Sequence, residues 1–118
     1  QTLLAKAGFE VIQTQVNQSL YMWINGELFS YRVRPDALAT KSGKSFIVEV
    51  KTGKVAIDPK HSATRRQLLE YHHGFSVDGV LLVDANAKKI HHIHFGKEAP
   101  HPLDFNWDED PSSELSVK

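Results

Sequence analysis

Three ionic side chains of this sequence are spaced so that they could do chemistry together: Asp36, Glu49 and Lys51. Glu49 and Lys51 lie in Ser45-Phe46-Ile47-Val48-Glu49-Val50-Lys51, a run that otherwise reads as a compact buried strand. Successive side chains of a strand alternate faces. Phe46, Val48 and Val50 therefore point one way, and Ile47, Glu49 and Lys51 the other. Burying an unpaired charge is costly, so charges placed like this pair, face solvent or hold a ligand. Asp36 lies on the segment before, and a turn over Lys41-Ser42-Gly43-Lys44 folds the chain back to bring it across from Glu49. Two carboxylates and an amine at one end of a sheet suit a hard divalent cation, Mg²⁺ or Mn²⁺, which prefers oxygen ligands and keeps several waters. The backbone carbonyl of Val50, flanked by the two functional side chains, is a further oxygen. A cation held there polarises a phosphoryl group and acidifies a bound water. Lys51 is placed to orient that water or to neutralise charge growing on phosphorus.

The elements that must position these groups are legible from pattern. Gln1 to Ala7 reads as the end of a helix stopped by Gly8, and Phe9 to Val16 as a strand. Leu20 to Ile24 and Leu28 to Val33 are two strands about Asn25-Gly26, a dipeptide that tolerates the positive φ of a two-residue turn. A weak strand follows over Ala37 to Ala39, then the strand carrying Glu49 and Lys51. Asp58-Pro59 predicts a capped helix running to about His73 and ending at Gly74. Val77 to Asp84 reads as a strand buried on both faces, and Ile90 to Phe95 as an edge strand. The expected fold is α/β, with one central mixed β-sheet covered by helices.

Pro35-Asp36 followed by Glu49-Val50-Lys51 resembles the signature of the PD-(D/E)XK nuclease superfamily. Proline directly precedes the aspartate, the Glu-x-Lys sits in an apolar strand, and a helix and a buried strand follow. Gln67-Leu68-Leu69-Glu70-Tyr71 has the Gln-x-x-x-Tyr spacing of the RecB-like members, and residues four apart share one helix face. The resemblance covers Phe9 to Phe95 and implies a restriction-endonuclease-like core. It implies a Mg²⁺- or Mn²⁺-dependent enzyme that hydrolyses phosphodiester bonds in DNA. Asp36 and Glu49, with Val50, would hold the metal, and Lys51 would assist the attacking water. Gln67 and Tyr71 would contact nucleic acid or steady the site. The pattern departs from the family at one point: the helix before the first strand often supplies an acidic residue or, in RecB-like members, a histidine. Gln1 to Ala7 has neither, and Glu10 is the nearest candidate.

Composition agrees with one soluble domain. The chain has 118 residues, 41% hydrophobic and 24% charged, with room for a single core. Absence of cysteine excludes disulfide scaffolds, thiolate metal sites and cysteine nucleophiles. No apolar run approaches the ~20 residues that cross a bilayer, and no secretory leader is recognisable, so the expected setting is cytoplasmic with no membrane partner. The formal charge is zero, but residues 96–118 hold two basic against six acidic residues, net −4, which leaves +4 on residues 1–95. The expected organisation is a nuclease-like domain over 1–95 and an acidic, proline-containing extension over 96–118, which Leu103, Phe105 and Trp107 could dock. The basic body fits a polyanion partner. Arg65 and Arg66 beside Gln67, with Lys54 and Lys60 before them, form a basic approach that could meet phosphates. His91, His92 and His94 invite a zinc site; on a strand His92 and His94 share a face, but no third ligand with clear spacing accompanies that pair, and a polar edge strand is the simpler reading. No phosphate-cradling loop or nucleophile elbow is present.

Two other readings stand beside the enzyme. One is an inactive or subunit-dependent nucleic-acid-binding module of a DNA-processing, transposition or defence complex. The other is an interaction domain that docks a partner through its acidic extension. A homodimer is compatible with the small size, because cutting two strands needs two sites.

Overall fold

The computed structural model describes residues 2–99. Residues 100–118 of the expected 96–118 extension, with Leu103, Phe105 and Trp107, lie outside the described residues. The elements are α1 (Thr2–Lys6), β1 (Glu10–Thr14), β2 (Gln18–Ile24), β3 (Glu27–Val33), β4 (Ala37–Lys41), β5 (Lys44–Lys51), α2 (Ser62–Phe75), β6 (Gly79–Asp84) and β7 (Lys89–Ile93). Five strands form one mixed sheet in the order β1-β4-β5-β6-β7. Strands β5 and β6 are parallel, joined by the α2 crossover, and the other pairs are antiparallel. Among the described residues no helix is long and apolar enough to cross a membrane.

Strand β5 divides the core as its alternation requires. Phe46, Val48 and the partly buried Val50 join Leu4, Phe9, Ala37, Ala39, Leu81 and Val83 on the α1 side of the sheet. Ile47 faces α2 and packs with Val33 and Tyr71. Strand β6 is buried along Gly79 to Val83, the expected state of a central parallel strand. Gly79 belongs to this packing. A Cβ there would lie 2.8 Å from His92 Nε2 and 3.2 and 3.3 Å from the Phe46 ring. We expect Gly79→Ala to lower unfolding free energy by about 1–3 kcal/mol through overpacking. A urea melt checks it, and an unchanged midpoint would show that the two rings can yield.

Three sequence expectations change. First, the sheet is not single: β2 and β3 pair only with each other, in a separate two-stranded sheet. The Asn25-Gly26 turn is as expected, with φ of 51° and 85°, but among the described residues no strand of the central sheet takes up the edges of this hairpin. Second, α2 begins at Ser62, with His61 as its flanking residue, and not at Pro59. Asp58 caps a turn instead: its Oδ1 accepts from the Lys60 N–H at 2.9 Å, a local bond that competes with helix initiation. Third, α2 runs through Gly74 to Phe75, and Ser76 is the left-handed residue that ends it. Gly74 serves an approach rather than a stop, because a Cβ there would fall 2.6 Å from Leu20 Cδ1 of β2.

Candidate functional site

Asp36 is fixed by its backbone before its side chain acts. Its N–H donates to the Val48 carbonyl at 3.0 Å, and its carbonyl accepts from the Gln15 N–H at 2.8 Å. The carbonyl of buried Pro35 accepts from the Val16 N–H at 3.1 Å. Proline supplies a fixed φ and no competing donor, so the chain enters β4 with Asp36 clamped between the end of β1 and β5. The Asp36 carboxylate then reaches across, and its Oδ2 accepts from the Val50 N–H at 2.7 Å.

The register puts Ala37 opposite Val48, so Asp36 stands at the level of Glu49, as the turn over Lys41 to Lys44 predicts. Glu49 is 8% exposed. Its Oε2 lies 3.4 Å from Lys51 Nζ, on the same face of β5. Its Oε1 is buried without a hydrogen-bond partner. Burial raises the Glu49 carboxyl above its ordinary range, and the nearby Asp36 adds to this, while Lys51 opposes it. The site therefore holds a buried carboxylate oxygen with no hydrogen-bond partner among the described residues, which is costly in an ordinary core.

Helix α2 closes the site. Leu68 and Tyr71 are buried on its inner face. Gln67 Nε2 donates to the Tyr71 hydroxyl at 3.2 Å, so the spacing of four brings the two together as expected. The Tyr71 phenol is pushed well above its ordinary pKa, first by burial and then by the negative fields of Glu49 and Asp36. Tyr71 thus stays neutral beside the carboxylates.

The remaining candidates separate. Val50 brings its amide to Asp36. Arg66 is exposed and lines a groove between α2 and the hairpin, whereas Arg65 turns elsewhere and donates through Nη1 to the Lys60 carbonyl at 3.3 Å. Lys54 and Lys60 are exposed in the segment before α2. Glu10 lies exposed on β1, opposite Thr40 at the far end of β4 from Asp36. Among the described residues no three His, Asp or Glu side chains converge as a metal-holding group, and this includes His91, His92 and His94. One neighbour escaped the sequence reading: Arg34 lines a cleft with Gln15, Asn17, Pro35 and Asp36. Its position next to Pro35-Asp36 was the available signal.

His92 instead packs edge-on against Phe46, with ring centroids 5.8 Å apart. Burial, helped by His94, lowers its pKa to about 4. The folded protein therefore keeps His92 neutral where the unfolded chain would protonate it. This contribution is fully present above pH ~6.5 and is lost as pH falls towards the folded value. We expect it to cost about 2 kcal/mol between pH 7 and pH 5. Comparing urea midpoints of the native chain and His92→Gln over that range isolates it, since the variant should lose less stability on acidification. Equal losses would show that His92 is not the group responsible.

No family model matches the chain, and no curated protein matches it. Among solved structures, the crystal structure of SSO0001 superposes with a TM-score of 0.59 over 82% of this chain, at 20% sequence identity. The chain spans about half of that protein, 47% of its length. At this identity the likeness concerns the fold: an α/β domain with a mixed central sheet.

Proposed function

We propose that this chain is a divalent-cation-dependent nuclease domain with a restriction-endonuclease-like core, acting on phosphodiester bonds of DNA. The observation that carries the reading is the buried, unpartnered Oε1 of Glu49, beside the Asp36 carboxylate and the Lys51 ammonium. Two carboxylates of this kind fit a hard cation that fills its remaining positions with water and substrate oxygen. Asp36 and Glu49 would hold Mg²⁺ or Mn²⁺. When bound, such an ion supplies Lewis-acid polarisation of the phosphoryl oxygen and a water of lowered pKa.

The protein's own groups do the rest. Glu49, kept from water, offers its oxygen without competing hydrogen bonds. Lys51 sits at the rim, where its ammonium can orient the attacking water or balance charge on the phosphoryl oxygens. Neutral Tyr71, tied to Gln67, closes the inner side and can donate a hydrogen bond to a substrate oxygen without adding charge. The test is a cleavage assay on linear, circular and single-stranded DNA, with and without Mg²⁺ or Mn²⁺. Cleavage that needs the metal and disappears in Glu49→Gln supports the reading. Cleavage that survives chelation, or none on any substrate, defeats it.

One observation favours a second reading, an inactive or subunit-dependent nucleic-acid-binding module: the described residues supply two carboxylates and no third acidic ligand. Mn²⁺ titration separates the two. A competent site binds Mn²⁺ in a way that Asp36→Asn removes, whereas a module without its own metal shows no such binding.

A further inference from the structure

The β2–β3 hairpin has no part in the chemistry described so far. Its root is packed, with Leu20 and Tyr31 joining Val33, Ile47 and Tyr71. Beyond the root both faces are bare. The register sets Tyr21, Trp23 and Leu28 on one face and Met22, Ile24 and Phe29 on the other. Tyr21 is 62% and Trp23 69% exposed, and the other four are each about half exposed. A two-stranded ribbon is marginal alone in water, and a monomer rarely leaves an apolar patch of this extent uncovered. At roughly 100 Å² each, about half the surface of a large side chain, the six present on the order of 600 Å² per copy, near the ~800 Å² that one partner gives a standard interface.

The two edges of the hairpin differ. Strand β3 carries Glu27 and Arg32, charges of the kind that guard an edge against further pairing. Strand β2 carries no charge and no proline. Residues that flank a two-residue turn exchange both ladder bonds. Ile24, Met22 and Leu20 therefore pair with β3, while Trp23, Tyr21 and Ser19 turn their N–H and C=O groups to the other side. Among the described residues no strand takes them up. That edge has room beside it, because a groove of about 690 Å³ runs between β2 and α2, lined among others by Ser19, Tyr21, Arg66, Leu69 and Glu70. Arg66 and Glu70 give the helix wall one charge of each sign, which favours neither a polyanion nor a polycation. A neutral, apolar strand suits both walls, and β2 is itself such a strand.

We propose that β2 pairs antiparallel with β2 of a second copy about a two-fold axis, giving one four-stranded sheet in the order β3-β2-β2-β3. A two-fold contact sets the same residues against each other, so any charge on the strand would meet its like, and β2 has none. Overlap of all seven residues of β2 places the middle one, Tyr21, across from Tyr21 of the copy. Edge pairing extends both bare faces at once: Tyr21 and Trp23 gain cross-strand neighbours on one, Met22 and Ile24 on the other. Face-to-face packing would leave one of them uncovered. Because β3 carries Glu27 and Arg32, the sheet ends there, and assembly closes at two copies. Dimerisation of this kind is independent of the nuclease reading and is measured without metal or DNA.

Sedimentation equilibrium of the whole chain over a range of concentrations tests it. The native chain should be a dimer at micromolar concentration. Tyr21→Lys and Tyr21→Glu each put like charges across the axis, and each should weaken dimerisation by about a hundredfold or more. An equimolar mixture of the two variants sets opposite charges there and should regain most of the lost affinity. Tyr21 is exposed, so thermal melts verify that both variants fold, and recovery in the mixture shows the same. A monomeric native chain overturns the proposal, as does a dimer that either variant leaves intact, because the contact would then lie elsewhere. Species that grow beyond two copies with concentration overturn the closure at β3. A mixture that stays monomeric while each variant is folded overturns the two-fold pairing at Tyr21.

Discussion

Lys51→Ala should reduce metal-dependent cleavage by on the order of a hundredfold or more, with folding intact. Lys51 Nζ lies 3.4 Å from Glu49 Oε2, at the end of β5, where the two opposite charges share one face. Its side chain is 22% exposed, so truncation opens the site to water without leaving a cavity in the core. Removing the ammonium leaves the buried Glu49 carboxylate without its cation, so the structural cost should exceed that of an exposed pair, on the order of a few kcal/mol, with the fold retained. The loss should appear in turnover rather than in metal affinity, since the ammonium is not a ligand. Cleavage rates at saturating Mn²⁺, beside a thermal melt, check both parts. Undiminished cleavage would remove Lys51 from the mechanism.

Glu49→Gln should do two opposite things: abolish Mn²⁺ binding and cleavage, and make the metal-free protein more stable by about 1–2 kcal/mol at neutral pH. The carboxyl is buried and held above its ordinary pKa, so the folded state resists its ionisation. The sign follows from linkage. A carboxyl whose folded pKa is raised binds its proton more tightly in the folded state, so its penalty is full above the folded pKa and fades as pH falls to the ordinary value. The amide carries no charge to desolvate, and the released Lys51 can turn to water. The stability difference between the two proteins should therefore shrink on acidification. Denaturant midpoints at neutral and acidic pH, with Mn²⁺ titrations, measure both halves. A destabilised Glu49→Gln would mean that the Lys51 pair outweighs desolvation, and that the carboxylate is there for structure.

Much of this was legible because it depends on local alternation and turn chemistry. Phe46, Val48 and Val50 on one face and Ile47 and Glu49 on the other follow from a period of two, and the core divides accordingly. The Asp36–Glu49 level follows from a two-residue turn, since Ser42 and Gly43 take φ of 53° and 78°. Gln67 and Tyr71 meet because four residues make about one helical turn. What was not legible depends on tertiary neighbours. Gly74 looks like a helix stop until Leu20 is known to lie against it. The strands about Asn25-Gly26 have the composition of central strands, and no local rule says that they pair only with each other. Arg65 and Arg66 are neighbours in sequence, yet one turns to the Lys60 carbonyl and the other to the hairpin groove.

The parallel pairing of β5 with β6 also bears on how the site is assembled during folding. Asp36 and Glu49 come from one short antiparallel hairpin, so their approach closes a small loop and can occur early. Phe46 meets Gly79 only after the whole crossover between β5 and β6 is traversed, a non-local event that slows folding. Until β6 and α2 dock, Glu49 remains hydrated and titrates like any exposed acid. Proton exchange after dilution from denaturant, followed in the native chain and in Glu49→Gln to separate Glu49 from His92, thus reports the last stage of assembly.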